Sequence, residues 1–271
     1  MSDNLVTEFV ASSDGTKIAY TKQGSGPAIV LVDGASCYRR AGITPLLLPV
    51  LSQHFTVYAY DRRGRDESGD TKPYAIQKEI DDLAAVMAVA GGSPYVCSFS
   101  SGAALALYAV ASGLKPAGLA LYEPPFVVVD DTDKPDNPDN VKIYEKLLSE
   151  GRRGDMVKHF LVKVVGLPAI FPFIMKTFMK KNWNNSVAVA HTFSYDQRIM
   201  DQSASRPPAD VSATITVPTM VVYGTKTAPK LRKAAIALQK LIPGSRLKVL
   251  PRSSHFVKPA ELVPLLRTEF K

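Results

Sequence analysis

The hydrophobic positions of the chain follow two rhythms. Short unbroken apolar runs alternate with longer stretches in which apolar residues return every three or four positions. "TEFVA" and "KIAYTKQG" flank the Asp-Gly turn "SSDGT" and predict a β-hairpin. "AIVLVDG" and "FTVYAYD" are continuous apolar runs, which predicts strands buried on both faces. "IQKEIDDLAAVMAVAG" has the spacing of an amphipathic helix stopped at Gly91. "YVCSFS" predicts the next strand and "SGAALALYAVAS" the helix behind it. "GLALYEPP" predicts a strand closed by two prolines, which cannot continue a ladder.

The alternation then stops. From about Val127 to about Thr216 no clean strand pattern occurs. "DDTDKPDNPDN" predicts a polar loop, and "VKIYEKLLSEG", "GDMVKHFLVKVVG" and "IFPFIMKTFMKKNW" predict short amphipathic helices. Strand "PTMVVYG", helix "KLRKAAIALQKLI", strand "RLKVLP" and helix "AELVPLLRTEF" resume the pattern. Strands joined in succession by helices imply an α/β fold: a mostly parallel eight-stranded sheet with right-handed crossovers, flanked by helices. The expected organisation is a core of residues 1–126 and 217–271, with a helical cap, 127–216, inserted after the sixth strand.

Composition narrows the function classes. The chain has 271 residues and a formal net charge of +8, but its basic residues are scattered. No zinc spacing, RNP-like stretch or basic helix points to nucleic acid. Cys37 and Cys97 have no metal-ligand spacing and make no disulfide framework, so neither metal nor cofactor is expected. The first residues lack a basic-then-apolar secretory pattern, and the most apolar segment is broken by Lys163 and two prolines. A cytoplasmic protein without integral membrane association is expected. A homodimer is admitted as a partner.

The stretch "PYVCSFSSGA" carries the chemistry. Ser100 falls where a strand turns sharply into a helix, which forces a strained backbone and lifts the side chain into solvent. Residues two before and two after such a corner must be small, and here they are Ser98 and Gly102. This is a nucleophile elbow, G-x-S-x-G, with its first glycine replaced by serine. The amide of Ser101 would then open the helix and aim at the reacting centre. The competing reading is that these serines only cap the helix. Both stay open on this stretch alone.

Four segments in order resemble the α/β-hydrolase superfamily: "IVLVDG" before an oxyanion loop, "YDRRGRDESG", the elbow "SFSSG", and "LPRSSHF" before the last helix. The resemblance covers essentially the whole chain. It implies that Ser100 is the nucleophile and that His255 is the general base, an imidazole being suited to neutral pH. His54, His159 and His191 are expected to pack or face solvent. The acid of the family usually follows the penultimate strand, but that place is Thr227 in "TKTAPK". Either the chain is catalytically dead or the acid comes from elsewhere. Glu123 in "LYEPP" is the candidate, with Asp130 and Asp131 weaker. Lactonases of the zearalenone-hydrolysing type are similar in using a Glu there and in carrying Asp-Gly where others have His-Gly, as Asp33-Gly34 does here.

The resemblance further implies an oxyanion hole from the amides of Ser101 and of Ala35 or Gly34. Asp33 is expected to turn away and pair with Arg62 or Arg63, and "DRRGR" to form a tight turn with ion pairs rather than a phosphate site. Trp183, Phe99, Phe171 and Phe173, with other cap aromatics, suggest an uncharged hydrophobic small-molecule ester or lactone as substrate. A non-catalytic ligand-binding protein, or a C–C bond hydrolase or lyase on the same scaffold, remains the alternative.

Overall fold

The computed structural model describes residues 6–128 and 137–271. The Asp-Gly turn closes a hairpin of β1 (Glu8–Ala11) and β2 (Lys17–Gln23), with Gly15 at φ +79°, a backbone angle open to glycine without a Cβ clash. The apolar runs become β3 (Ala28–Val32), β4 (Thr56–Tyr60), β5 (Tyr95–Phe99), β6 (Gly118–Tyr122), β7 (Thr219–Gly224) and β8 (Arg246–Leu250). All eight form one sheet in the order β1-β2-β4-β3-β5-β6-β7-β8. The β1–β2 and β2–β4 pairs are antiparallel, and every pair from β4 to β8 is parallel.

Side-chain alternation explains the unbroken apolar runs. In β3, Val30 and Val32 face one side and Ile29 and Leu31 the other, all at 1% exposure or less. One face is covered by α2 (Ile76–Val89), α3 (Ser101–Ala111) and α10 (Pro229–Leu241), through Leu83, Val86, Leu105, Ala235 and Leu238. The other is covered by α1 (Thr44–Leu51) and α11 (Pro259–Glu269), through Leu47, Leu51, Leu262 and Leu266. Parallel neighbours need such crossovers, and a two-sided cover leaves no face of the central strands for polar side chains.

Between β6 and β7 the described chain is helical: α4 (Asn140–Ser149), α5 (Arg153–His159), α6 (Phe171–Phe178), α7 (Lys180–Ala188), α8 (Phe193–Asp201) and α9 (Ala209–Ala213). These helices share an apolar cluster of Tyr144, Met156, Val157, Met175, Trp183, Ala190 and Phe193. Two expected helices are divided. A π-helical turn at Phe160–Val164 ends the second, and Met179, at φ −121°, separates α6 from α7. The helix α8 buries Ser194, Asp196 and Gln197 beside Phe193, Ile199 and Met200, which blurs its apolar pattern. Among the described residues no helix is long and apolar enough to cross a membrane.

The elbow depends on close approach of α3 to β3. A Cβ added at Gly102 would sit 2.5 Å from the carbonyl oxygens of both Asp33 and Val32. Backbone cannot yield as a side chain can, so Gly102→Ala should destabilise the fold by about 1–3 kcal/mol. A urea titration should show a lower midpoint with an unchanged slope.

Candidate active site

Ser100, Glu123 and His255 follow β5, β6 and β8, so all three lie beyond the carboxyl ends of parallel strands. Ser100 has φ +53° and ψ −127°, where a non-glycine residue is strained by roughly 1–3 kcal/mol. Its amide donates to Tyr122 O at 2.9 Å, which ties the corner to the end of β6. Ser98 is fully buried and donates its hydroxyl to Ala120 O at 2.9 Å, so the serine in place of the usual glycine is satisfied within the sheet. Among the described residues no hydrogen bond joins the Ser100 hydroxyl to His255.

Glu123 is completely buried and also has positive φ, +47°. Its Oε2 lies 2.8 Å from His255 Nδ1. Its Oε1 accepts from the Gly224 amide at 2.8 Å and from the Thr227 hydroxyl. Thr227 thus occupies the place where the acid was missing and donates to the carboxylate one strand away. The histidine loop is pinned on both sides. The Tyr122 hydroxyl donates to Ser254 O at 2.5 Å, and the Lys226 amide donates to Ser253 O at 2.9 Å. A Cβ on Gly224 would stand 2.2 Å from that same Ser253 oxygen, so glycine is required for the approach.

Gly34 abuts Ser100: a Cβ there would lie 2.8 Å from Ser100 Cβ. Ala35 follows it, and Ser36, at φ +64°, links the loop to α7 through a 2.8 Å hydroxyl contact with Ser186. Asp33 corrects one expectation. It turns away from the site, but its carboxylate pairs with neither Arg62 nor Arg63. Oδ2 accepts from the Thr44 hydroxyl at 2.7 Å, while Oδ1 is buried without a partner. Arg62 reaches only the Asp33 carbonyl, at 3.2 Å. Burial pushes the Asp33 carboxyl up to about 7, against the opposing pull of the Thr44 hydroxyl and the Arg65 and Arg62 charges.

The arginines of "DRRGR" make ion pairs, as expected for a tight turn. Arg63 holds Asp82 and Asp14, and Arg62 holds Glu79 in a two-pronged contact at 2.7 and 2.8 Å. Sequence reasoning missed their other partner. Asp196 of α8 is buried and accepts from Arg62 at 2.7 Å, from Arg65 at 3.0 and 2.8 Å, and from the Ser101 hydroxyl at 2.7 Å. Burial would raise the Asp196 carboxyl, but the Arg65 and Arg62 charges outweigh it and hold it below the usual range. "FSYDQ" carries no local signal for this role, because the partners come from a turn far away in the chain.

The aromatic residues separate. Phe99 is 5% exposed and packs in the core near Tyr122. Phe171 packs against the apolar cluster of the insertion. Trp183 and Phe173 line a cleft of about 530 Å³ with Pro172, His159 and Lys176, and none of Ser100, Glu123 or His255 lines it. Cys97 is buried in the sheet, and burial pushes the Cys37 thiol up to about 12, so neither is a thiolate at neutral pH. His159 bonds to Asn140 at 2.8 Å, and burial lowers its pKa and that of His191. Asp130 and Asp131 lie outside the described residues.

Comparison with known proteins agrees with this architecture. Residues 24–265 match the profile of the alpha/beta hydrolase family. An alpha/beta hydrolase from Sphaerobacter thermophilus DSM 20745 superposes with a TM-score of 0.90 at 43% identity, over 97% of this chain and 100% of that one. A thermophilic esterase from Thermogutta terrifontis gives 0.69 at 20% identity, covering 97% of each chain. An enol-lactonase from Burkholderia xenovorans LB400 also gives 0.69 at 20%, covering 96% of this chain and 97% of its own. The last two share the fold.

Asp33 yields a prediction for stability. A carboxyl whose folded pKa lies near 7, above its ordinary value of 3.8, stays protonated in the folded protein at pH values where the unfolded chain already ionises. Its ionisation costs stability progressively as pH rises from about 4 through about 7. The Tm of Asp33→Asn minus that of the unsubstituted protein should therefore increase by several degrees between pH ~5 and pH ~8. A difference independent of pH would show that Asp33 is ionised throughout.

Proposed function

The chain belongs to the α/β hydrolase family, and we propose that it is a serine hydrolase acting on a carboxylic ester or lactone of a hydrophobic small molecule. One observation carries the reading. A fully buried carboxylate from the end of β6 meets the imidazole from the loop after β8, at the sheet end where the strained Ser100 turn stands. Positions that pack side chains for stability alone do not need a buried charge, a histidine and two residues at positive φ on one edge.

In this scheme Glu123 accepts from Nδ1–H of His255, which fixes the tautomer and leaves Nε2 as the proton acceptor. Ser100 Oγ attacks the carbonyl carbon as its proton passes to Nε2. The tetrahedral oxyanion takes hydrogen bonds from the Ser101 and Ala35 amides, with Gly34 leaving room beside it. Such preorganised donors are worth roughly 3–4 kcal/mol each in related chemistry. The imidazolium, stabilised by Glu123, returns the proton to the departing alkoxide. A lactone would keep that alcohol tethered in the acyl-enzyme. Water, deprotonated by His255, then attacks the acyl carbon and frees Ser100.

Thr227 serves this scheme as a donor. Its hydroxyl and the Gly224 amide satisfy Oε1, which holds Oε2 toward the ring. No cofactor enters the scheme.

A fluorophosphonate probe should label the protein and fail to label Ser100→Ala. Glu123→Gln should lower kcat for p-nitrophenyl acetate by about 10³–10⁴-fold, the scale seen when a triad acid loses its charge. Thr227→Val should cost far less, about tenfold, because it removes one hydrogen bond to Glu123 and leaves the Gly224 amide and His255 on the carboxylate. Turnover indifferent to Glu123→Gln would remove Glu123 from the mechanism. Ligand binding without labelling or turnover would favour a non-catalytic protein.

A further inference from the structure

Two backbone carbonyls at the end of β3 are each held by an arginine. Arg65 Nη1 donates to Gly34 O at 2.6 Å and to Cys37 O at 3.0 Å, and Arg62 Nη1 donates to Asp33 O at 3.2 Å. A trans peptide is planar, so fixing a carbonyl also fixes the next residue's N–H, which points the opposite way. Arg65 therefore sets the direction of the Ala35 amide, and Arg62 that of the Gly34 amide. These are the amides of the proposed oxyanion loop.

Both guanidinium groups converge on the Asp196 carboxylate, whose Oδ1 also accepts the Ser101 hydroxyl. Ser101 supplies the second proposed donor. The three charged side chains and Ser101 are all at most 5% exposed, so water does not loosen the geometry. One carboxylate thus ties the loop after β3 to the first turn of α3. It comes from α8, within the helical insertion. The arrangement needs an arginine at 65: two prongs grip Asp196 and the carbonyls of the loop at once, which a single ammonium cannot reproduce.

We propose that Arg65, anchored by Asp196, is a positioning residue for the oxyanion hole, and that through Asp196 the helical insertion sets the aim of both donors. The inference rests on the serine-hydrolase reading. Arg65 touches no substrate and acts through the Gly34–Ala35 peptide. A misaimed amide weakens the tetrahedral state more than the bound ester, so kcat and kcat/KM should fall together.

The test compares the unsubstituted protein with Arg65→Lys and Ser101→Ala. It measures p-nitrophenyl acetate kinetics, affinity for a trifluoromethyl ketone that forms a tetrahedral adduct, and Tm. Arg65→Lys should lower kcat by about 10–100-fold with KM within about twofold, and weaken the ketone by a similar factor. Ser101→Ala leaves every charge paired and should show the same pattern at about three- to tenfold. It decides the matter if Arg65→Lys does not fold. Folded variants with unchanged kcat and ketone affinity, or with only a raised KM, overturn the inference while the hydrolase reading stands. An unsubstituted protein that neither reacts with fluorophosphonate nor turns over the ester overturns that reading and this inference with it.

Discussion

A carboxyl group with no exposed surface needs hydrogen-bond partners for its oxygens, and Glu123 finds them at two other strand ends. This requirement binds the edge of the sheet together. The Gly224 amide and Thr227 come from the end of β7, and His255 from the loop after β8. The strand order β5-β6-β7-β8 makes these ends neighbours. In the proposed scheme, an acid at the end of β6 lies one strand from its usual place, and Thr227, standing at that place, donates to it.

A second buried cluster balances two guanidinium groups, Arg62 and Arg65, against the carboxylates of Glu79 and Asp196. Buried ion pairs seldom add net stability, since desolvation offsets their attraction. Losing one partner, by contrast, leaves an unpaired buried charge and costs about 3–5 kcal/mol. Such a cluster is better understood as a fixture than as a source of stability. It admits one arrangement of the turn after β4, the loop after β3, α3 and α8. Asp33 shows the opposite case. With only Thr44 as a hydrogen-bond partner, its carboxyl is pushed toward the neutral form.

The relatives place this chain in a family whose members share the sheet and differ in what they act on. The alpha/beta hydrolase from Sphaerobacter thermophilus shares both fold and much sequence, whereas the esterase and the enol-lactonase share the fold at 20% identity. Chemistry on such a scaffold resides in strand ends and in the insertion above them. Here the helical segment between β6 and β7 contributes a charge, Asp196, directly to the turn beside Ser100.

How much of this could be read along the chain depends on the range of the interaction. Apolar periodicity is local, so the eight strands, the hairpin and the main crossover helices were legible, as was the small-residue pattern around Ser100. The vacancy at Thr227 was visible too, because an absent charge shows in a single position. The helix α8 was not, since its buried residues mix polar with apolar, and neither were the division at Met179 or the partnerless Oδ1 of Asp33. Phe99 and Trp183 looked alike as aromatics, yet one fills the sheet core and the other lines a cleft. Local pattern determined the elements and their order. Which buried charges meet was decided only in three dimensions, because desolvation makes pairing obligatory without specifying a partner, and only folding brings Asp196 within reach of Arg65 and Ser101.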